Sequence, residues 1–470
     1  MAKRFFVLSL LISLYLSIPV SSVLGYYTNM SADVVIGQPD FTSNTGGTSQ
    51  SQFTTVNIRQ VVVDPMGRMI VADQGNNRIL VWNSVPTTNG KPADLVLGQP
   101  DFNSGTANNG GLSARTMNVP ASVYSDGNRL FVADDSNDRV LIWNTFPTSN
   151  GQAADVVVGE SNFTSTDAGT CNSSNLARPN GLWVYQNKLV VSDRSQDRIL
   201  IWNSIPTANG VPADLVLGQT GFTTCSAQTI SASTFIDNRG VLVDQNGKLY
   251  VADRGNRRIL IWNTFPTSNG QAADVVVGQG DFTTSATNAN ADRIGQVLRF
   301  YVSNNRLFVS AFNSVRIFNS IPTSNGASAD IVLGQTNFTD SSANSGGSTS
   351  ASGFNVPAGI FEYNNKLLVT DEGNARILIF TNIISNPAIG LYPFPEAVGN
   401  GRLRMRGNVR LGQWDRYSLT RSKLTVSING GGEGMVDSLY GNREDTHDNL
   451  YEFFHEFDPS PIPGGTEGYT

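Results

Sequence analysis

One phrase recurs six times along this chain and constrains its fold more than any other feature. It is ADVVIGQPDF at 32–41, and related copies follow at 93–102, 154–163, 213–222, 273–282 and 329–338. The aspartates of successive copies are 61, 61, 59, 60 and 56 residues apart. A second phrase, MIVADQGNNRILVW at 69–82, also recurs six times. Repeats of about this length are typical of arrays built from one supersecondary unit.

Each unit is predicted to form four short β-strands. Runs rich in β-branched and aromatic residues alternate with Gly, Asn and Pro turns, and no helical period is present, so the fold class is all-β. The third run, ILVW at 79–82, is apolar at consecutive positions. Both faces of the sheet must therefore be covered by neighbouring sheets.

The order of the two phrases distinguishes an open array from a closed ring. The outer-strand phrase at 33–38 precedes any three-strand unit, whereas the last three-strand unit, near 360–380, has no outer strand after it. The extra outer strand at the N-terminus can therefore supply the outer strand that the last unit lacks. This order predicts a six-bladed β-propeller closed by the N-terminal strand.

Three of the repeats carry a family resemblance. The segments LFVADDSNDRVLIW (130–143), LYVADRGNRRILIW (249–262) and LLVTDEGNARILIF (367–380) resemble NHL repeats, and the resemblance covers about 32–383. It too implies a six-bladed β-propeller. Some relatives are peptide-amidating lyases with a histidine-bound metal, but both histidines here, His447 and His455, follow the repeats.

Five units place an acid at the end of the second strand and an arginine five residues later. Across a tight hairpin such side chains face each other, which predicts structural ion pairs. In the fifth unit, Ala311 and Ser314 align with these positions. The acid and the arginine are expected to be lost together, because either one alone would be a buried charge without a partner. A ring of aspartate metal ligands is the alternative. The predicted pairs are Asp73/Arg78, Asp134/Arg139, Asp193/Arg198, Asp253/Arg258 and Asp371/Arg376.

One aromatic position recurs in the third strand of every unit. Aromatic rings can serve as platforms for sugars, but six copies in the most regular strand favour packing between blades. The residues are Trp82, Trp143, Trp202, Trp262, Phe318 and Phe380.

The connections between units differ from one another, whereas the strands do not. Such connections are either individually shaped binding loops on one face of the ring or simple soluble links. They lie at 42–52, 103–111, 164–175, 223–231, 283–292 and 339–351. Two consecutive connections contain Cys171 and Cys225, the only cysteines of the chain, and export would let them form a disulfide bond; two free thiols are the alternative.

The two ends of the chain differ from the repeats. Residues 1–25 combine Lys3 and Arg4 with a long apolar run, which predicts a secretory signal peptide, or alternatively an uncleaved membrane anchor. No later stretch is long and apolar enough to span a membrane. The propeller is predicted over 26–386 and a linker over 387–401. Residues 402–470, with strands at 424–431 and 450–459, weakly resemble bacterial immunoglobulin-like modules and are too short for a full β-sandwich, so a partial domain is expected.

These features predict an exported, non-catalytic propeller without a cofactor that binds a protein or glycan partner through its variable loops. Nucleic acid is not an expected partner, because residues 26–386 contain 22 basic and 27 acidic residues. The alternative is a Ca²⁺-dependent hydrolase or lactonase with its site on the ring axis. A cell-surface adhesive protein is a third interpretation. Oxygen ligands for an axial Ca²⁺ would come from residues such as Asn57, Asn118, Asn180 and Asn238.

Overall fold

The computed structural model describes most of the repeat region and part of the C-terminal segment. Side chains are described over 25–54, 57–166, 170–225 and 228–381, and backbone alone for seven strands between 389 and 457. Residues 1–24 of the predicted signal peptide and His447 lie outside the described residues. Tyr26–Asn382 is one compact unit, and the described strands between 389 and 457 belong to a second. Within the described parts of the chain, no helix is long and apolar enough to cross a membrane.

Tyr26–Asn382 forms six four-stranded antiparallel blades arranged in a ring, which confirms the predicted all-β propeller. An N-terminal strand, β1 (Val34–Ile36), precedes the first blade. Blade 1 contains β2 (Ile58–Val63), β3 (Met69–Asp73), β4 (Arg78–Trp82) and β5 (Leu95–Leu97). Blade 2 contains β6 (Pro120–Ser125), β7 (Leu130–Asp134), β8 (Arg139–Trp143) and β9 (Val156–Val158). Blade 3 contains β10 (Pro179–Tyr185), β11 (Lys188–Asp193), β12 (Arg198–Trp202) and β13 (Leu215–Leu217).

The second half of the ring repeats the same arrangement. Blade 4 contains β14 (Asn238–Val243), β15 (Leu249–Asp253), β16 (Arg258–Trp262) and β17 (Val275–Val277). Blade 5 contains β18 (Phe300–Ser303), β19 (Arg306–Ala311), β20 (Ser314–Phe318) and β21 (Ile331–Leu333). Blade 6 contains β22 (Pro357–Tyr363), β23 (Lys366–Asp371) and β24 (Arg376–Thr381).

The N-terminal strand completes blade 6, as the order of the phrases predicts. Strand β1 pairs antiparallel with β24, with Val34 opposite Ile379. Beyond the paired residues, the Thr381 backbone N–H donates to the Asp33 carboxylate at 2.7 Å. The two ends of the repeat region are therefore joined within one sheet.

The recurring aromatic residues pack inside the ring. Trp82, Trp143, Trp202 and Trp262 are each at most 2% exposed, and Phe318 and Phe380 are equally buried. The indole N–H of Trp82 donates to the Lys91 carbonyl at 2.9 Å, and the other three tryptophans make the equivalent bond. Buried side chains of this kind contribute to packing between blades and are not accessible to a sugar.

Each regular blade contains one buried arginine that joins two loops to a hairpin. In blade 1, Arg78 Nε lies 2.7 Å from Asp73 Oδ2, and both side chains are fully buried. The terminal nitrogens of Arg78 donate to the carbonyls of Ser49 and Gln52, in the loop before the blade, and of Phe102, in the loop after it. We call this set of carbonyl contacts the arginine bridge. The same Asp–Arg contact, at 2.7–2.9 Å and fully buried, occurs in Asp134/Arg139, Asp193/Arg198, Asp253/Arg258 and Asp371/Arg376.

Blade 5 keeps the arginine bridge with a different residue. Ala311 and Ser314 face each other at the end of its hairpin, as the alignment predicts. The aligned ion pair is absent, but blade 5 still contains a buried arginine, because Arg316 lies two residues further along the same strand and is fully buried. Its guanidinium donates to the carbonyls of Asn290 and Arg293, before the blade, and of Phe338, after it. Residues two apart in a strand point to the same face, so the shifted arginine reaches the same loops.

The described backbone of the C-terminal segment forms a separate antiparallel sheet. Strand β27 (Arg402–Arg410) pairs from Leu403 onward with β31 (Leu450–Phe457), and β30 (Leu439–Tyr440) pairs with the other edge of β31. The short strands β25 (Ile389–Leu391) and β26 (Glu396–Val398) both pair with β27. A two-residue ladder joins β28 (Thr425–Val426) to β29 (Gly434–Met435). The predicted strand at 450–459 is present, and His455 is opposite Met405 within it.

Candidate functional site

The face of the ring that carries the variable connections also carries the start of every innermost strand. We call it the loop face. In five blades the register of the innermost strand shifts within its first residues, which is a β-bulge. Bulges change the direction of a side chain and are common beside functional sites. The residues within these bulges include Arg59, Ala121, Asn180, Arg239 and Ala358.

Blade 5 has no such bulge, and Arg299 precedes its innermost strand. The Arg299 side chain reaches across the ring to blades 2 and 3, where its terminal nitrogens donate to the Ala121 carbonyl at 2.8 Å and the Asn180 carbonyl at 2.6 Å. It also donates to Asn180 Oδ1 at 3.1 Å. Arg299 is 3% exposed, and its Nε has no hydrogen-bond partner among the described residues. A guanidinium group therefore closes the narrow channel on the ring axis.

Charged residues surround this guanidinium at the loop face. With Arg299 itself counted, the set has six arginines and three acids, so its own charge is 6 − 3 = +3, although the whole chain has a net charge of −6. The carboxylates of Asp138 and Asp197 adjoin the set and accept from the backbone N–H groups of Arg178 and Asp237. We call the set the axial cluster: Arg59, Arg178, Arg194, Arg239, Arg254, Arg299, Asp135, Asp237 and Glu372.

Each of the three acids of the axial cluster forms an ion pair with at least one arginine. Asp237 contacts Arg239 at 2.9 Å, Arg254 at 2.6 Å and Arg194 at 3.3 Å. Three guanidinium groups thus converge on one carboxylate, which leaves excess positive charge at the centre of the face.

Asp135 and Glu372 complete the arrangement. Asp135 accepts from Arg178 Nε at 2.9 Å and from the Asn180 amide at 2.8 Å. Glu372 accepts from Arg59 at 2.9 Å. Charge-assisted bonds of this length hold the guanidinium groups in defined orientations.

Burial and crowding shift the pKa values of the axial cluster. Burial raises the pKa of Glu372 to about 7, against the opposing effect of Arg59 and Arg299. Burial, together with the positive charges of Arg59 and Arg239, lowers the pKa of Arg299 to about 9. Arginines that lower one another's pKa are under electrostatic repulsion, which a bound anion would relieve.

A pocket of about 350 Å³ opens beside the axial cluster at blade 5. In most blades a three-residue 3₁₀ turn links the second and third strands. Blade 5 instead has a two-residue turn, Phe312 and Asn313, with φ of 49° and 55°. The shorter hairpin leaves room between the loop face of blade 4 and the start of blade 6.

The blade-5 pocket has apolar walls and a basic edge. Leu298, Phe312 and Val356 contribute apolar surface, and Arg257 lies at its edge. Gln296 also lines the pocket, and it accepts a hydrogen bond at 2.8 Å from Arg254 of the axial cluster. The pocket and the axial cluster are therefore parts of one continuous surface.

Val356 stands out at the edge of this pocket. It is 44% exposed, unusual for a large apolar side chain in this ring, and its φ is 57°. The equivalent residue of blade 2, Val119, has the same left-handed conformation with φ of 60°, so the exposure of Val356 and not its backbone distinguishes it. The Asn313 side chain holds this conformation by accepting a hydrogen bond from the Val356 N–H at 2.7 Å.

The predicted disulfide bond is confirmed. Cys171 and Cys225 are joined, with their Cα atoms 6.1 Å apart. They tie together the loops before and after blade 3, which Arg198 also joins through the carbonyls of Asn175 and Phe222. Among the described residues, the arginine bridge of each other blade has three carbonyl contacts, whereas Arg198 has two and approaches Cys171 Sγ at 3.9 Å.

The four asparagines proposed as axial ligands have different environments. Only Asn180 contacts Arg299, and it also bonds Asp135. Asn238 donates to Ser192 Oγ and to the Arg198 carbonyl. The remaining two take part in local contacts. The Asn57 side chain accepts from Arg59, and the Asn118 backbone bonds Asp134 and Ser136 in the hairpin of blade 2.

The geometry gives no support to a Ca²⁺ ion on the axis. Among the described residues, no three His, Cys, Asp or Glu side chains come together as a group that could hold a metal ion. The cationic guanidinium of Arg299 crosses the position where such an ion would lie. A cation there would be repelled.

The residues that form this surface were not selected from the sequence. Arg299 lies in a unit whose alignment is weak, and the arginines of the axial cluster occupy several different positions of the repeat. One signal was present, since the fifth hairpin is two residues shorter than the others. That difference in length predicts the loss of an ion pair and does not by itself indicate a pocket.

Comparison with known proteins places the chain in no family. No family model matches it, and no curated protein matches it. Among solved structures, a streptogramin B lyase has 8% identity and a TM-score of 0.38, covering 72% of this chain and 95% of that one. A catalytically inactive virginiamycin B lyase from Staphylococcus aureus with quinupristin has 11% identity and a TM-score of 0.39, covering 71% and 97%.

A third structure is a chain of a nidogen–laminin complex, with 13% identity and a TM-score of 0.35, covering 69% of this chain and 92% of that one. Identities and TM-scores this low carry no information about the function of the present chain.

Proposed function

We propose that this protein is an exported, non-catalytic β-propeller of the NHL type that binds a protein or glycan partner through its loop face. The observation that carries the proposal is the blade-5 pocket, whose volume of about 350 Å³ falls in the range of ligand sites. It is continuous with the axial cluster through Gln296 and Arg254. An apolar pocket beside convergent polar groups is the usual form of a binding site.

The chemistry of this surface defines the group that it would bind. The axial cluster has three more positive than negative charges, and Arg239 uses only Nε and Nη2 to bind Asp237. Its remaining nitrogen is oriented by this bidentate contact. Guanidinium groups recognise carboxylates and sulfates with defined geometry. The partner is therefore expected to place an acidic group at the axis and an apolar group in the blade-5 pocket.

Export forms part of the proposal. The apolar N-terminal segment has the composition of a signal peptide. The disulfide bond between Cys171 and Cys225 is of a kind that persists outside the reducing cytoplasm. N-terminal sequencing of protein from a culture medium is expected to begin at Tyr26, and protein retained with residues 1–25 attached would contradict export.

A binding screen with matched variants tests the loop face. The full-length protein is applied to an array of neutral and acidic glycans and to a panel of extracellular proteins. Arg254→Glu and Val356→Asp alter the loop face, where Arg254 is 28% exposed. Arg129→Glu and Met66→Asp are the matched controls on the opposite face, where Arg129 is 29% exposed.

Both loop-face variants are expected to reduce binding about tenfold or more, because a partner loses a charge contact or pocket contact. The controls are expected to bind as the unchanged protein does. Equal losses on the two faces would contradict the proposed surface. The absence of any binder in either panel would contradict the binding function itself.

A further inference from the structure

The opposite end of the ring axis carries a second cavity, of about 270 Å³. It lies where the innermost strands end, on the face with the short turns that follow them. Residues from blades 1, 2, 3, 5 and 6 form its walls. It is thus separated from the axial cluster by the closed channel that contains Arg299.

Aromatic residues dominate this cavity because they occupy one equivalent position of the innermost strand. In each blade, this residue of the innermost strand pairs with the equivalent residue of the second strand. The six residues at this position are Val62, Tyr124, Trp183, Leu242, Tyr301 and Phe361. Four of these six are aromatic, and all four line the cavity together with Tyr363. We call Tyr124, Trp183, Tyr301, Phe361 and Tyr363 the aromatic mouth.

The rings of the aromatic mouth are arranged as walls and not as one flat platform. The centroids of Tyr124 and Trp183 are 5.0 Å apart, and their planes meet at 64°. Tyr301 and Phe361 form a second pair at 4.2 Å and 33°. Inclined rings surround a compact group, whereas a sugar ring stacks on a single exposed face.

One buried carboxylate in the aromatic mouth is not neutralised by a basic side chain. Glu362 is 6% exposed, accepts from the Tyr26 hydroxyl at 3.2 Å and Asn304 at 3.4 Å, and makes no ion pair within the described part of the chain. Arg306 lies over the Tyr26 ring, 6.0 Å from its centroid, but does not contact Glu362.

The second acid of this cavity differs from Glu362, because Asp64 is paired with Arg68 and accepts from Ser125. The aromatic mouth therefore has an excess of one negative charge, and a buried carboxylate without a basic partner is costly unless a cation approaches it. Burial and the charge of Glu362 also raise the pKa of Tyr301.

We infer that the aromatic mouth binds an organic ammonium cation, such as a quaternary or alkylated amine, through its ring faces and the Glu362 carboxylate. Aromatic faces attract cations most strongly when the cation is desolvated, and a quaternary ammonium is weakly hydrated. The cavity has room for a trimethylammonium group. This inference does not rest on the loop face, so either proposal can fail without the other.

A pair of isosteric ligands tests the inference on the unchanged full-length protein. Choline is titrated by calorimetry beside dimethylbutanol, in which carbon replaces the ammonium nitrogen. Choline is expected to bind about tenfold or more tightly. Equal affinities, or no choline binding at all, would overturn the inference, and tighter binding of methyl glucoside would identify a sugar site in its place.

Variants then assign the contacts. Glu362→Gln is expected to lower choline affinity about tenfold and leave dimethylbutanol affinity unchanged, since only the charge is removed. Trp183→Leu is expected to weaken choline binding by a similar factor. The matched control is Tyr185→Leu in the same strand, because Tyr185 stacks on Phe265 at 5.7 Å, outside the cavity. Choline affinity that is unaffected by both mouth variants, with melting temperatures that show folded protein, would overturn the inference.

Discussion

Blades 4 and 5 are neighbours with the same four strands, but they hold their loops with different residues. In blade 4, Arg258 donates to the carbonyls of Ser231, Thr234 and Phe282 and pairs with Asp253. In blade 5, Arg316 makes the same three kinds of carbonyl contact and has no ion pair among the described residues. The arginine bridge is thus common to all six blades, whereas the paired carboxylate is present in only five. The contact that all six blades share is therefore the one that holds the loops before and after the blade.

The largest expected effect comes from removing the arginine in a regular blade. Arg258→Met leaves the buried Asp253 without its cation and three carbonyls without a donor, at an expected cost of about 3–5 kcal/mol. Arg316→Met removes only the carbonyl contacts and is expected to cost about 1–3 kcal/mol. Urea unfolding of the two variants gives the free energies. Equal costs would contradict the distinction between the blades.

The disulfide bond is expected to have the next largest effect. Replacing Cys171 and Cys225 by serine is expected to cost about 2–4 kcal/mol, because the unfolded chain regains the freedom of the closed loop. Arg198→Met is expected to cost more in this background than with the disulfide intact, since both features hold the same two loops. A double-mutant cycle measured by urea unfolding gives this coupling. Additive costs would show that the two features act independently.

Removal of the carboxylate alone is expected to have a smaller effect. Asp253→Ala leaves Arg258 with its carbonyl partners, as in blade 5, and is expected to cost about 2 kcal/mol. Its melting temperature should fall while binding of a loop-face partner is unchanged. Scanning calorimetry measures the first and the glycan and protein panels the second. An unchanged melting temperature would show that the carboxylate is dispensable even in a regular blade.

The smallest expected effect concerns the loop face, where blade 6 has Glu372 at the turn position that Phe312 occupies in blade 5. The pKa of Glu372 is raised to about 7, and Arg59, Arg299 and Arg239 are the charged groups that act on it. Below pH 7 the carboxyl is protonated, so the axial cluster gains one net positive charge. Sulfate, whose charge is constant in this range, is expected to bind about fivefold more tightly at pH 6 than at pH 8.

Glu372→Gln is the control for this pH dependence. Its side chain cannot ionise, so sulfate affinity in the variant is expected to be the same at pH 6 and pH 8, close to the value of the unchanged protein at pH 6. Calorimetric titrations at the two pH values measure both proteins. The same pH dependence in the variant would assign the titration to another group.

The ring could be predicted from the sequence because a propeller repeats its local pattern in every blade. The order of the phrases was sufficient to place β1 in blade 6, and the spacing of Asp253 and Arg258 was sufficient to place them face to face. Arg316 was missed because alignment by the turn compares residues at the same distance from it. In the structure, the feature common to the blades is the set of loop carbonyls, and an arginine at either of two positions of the strand can reach them.

The candidate site was less predictable because it forms only when the ring closes. Arg299 and Asn180 are 119 residues apart, and no local pattern indicates that they meet. The aromatic mouth had a signal, since Tyr124, Trp183 and Tyr301 occupy equivalent positions of their units. That position is not aromatic in every blade, so the pattern is weaker than that of the third strand.

The pairing of β1 with β24 also determines how the chain can fold as it is made. Val34 and Ile379 are 379 − 34 = 345 residues apart, whereas the other strands of each blade pair with near neighbours in sequence. At a synthesis rate of roughly 5–20 residues per second, β1 emerges roughly 20–70 s before its partner. Five blades can assemble in that interval, but the sixth cannot be completed. In a chain that folds as it is made, ring closure therefore follows assembly of the first blades, because β1 gains its strand partner only when β24 emerges.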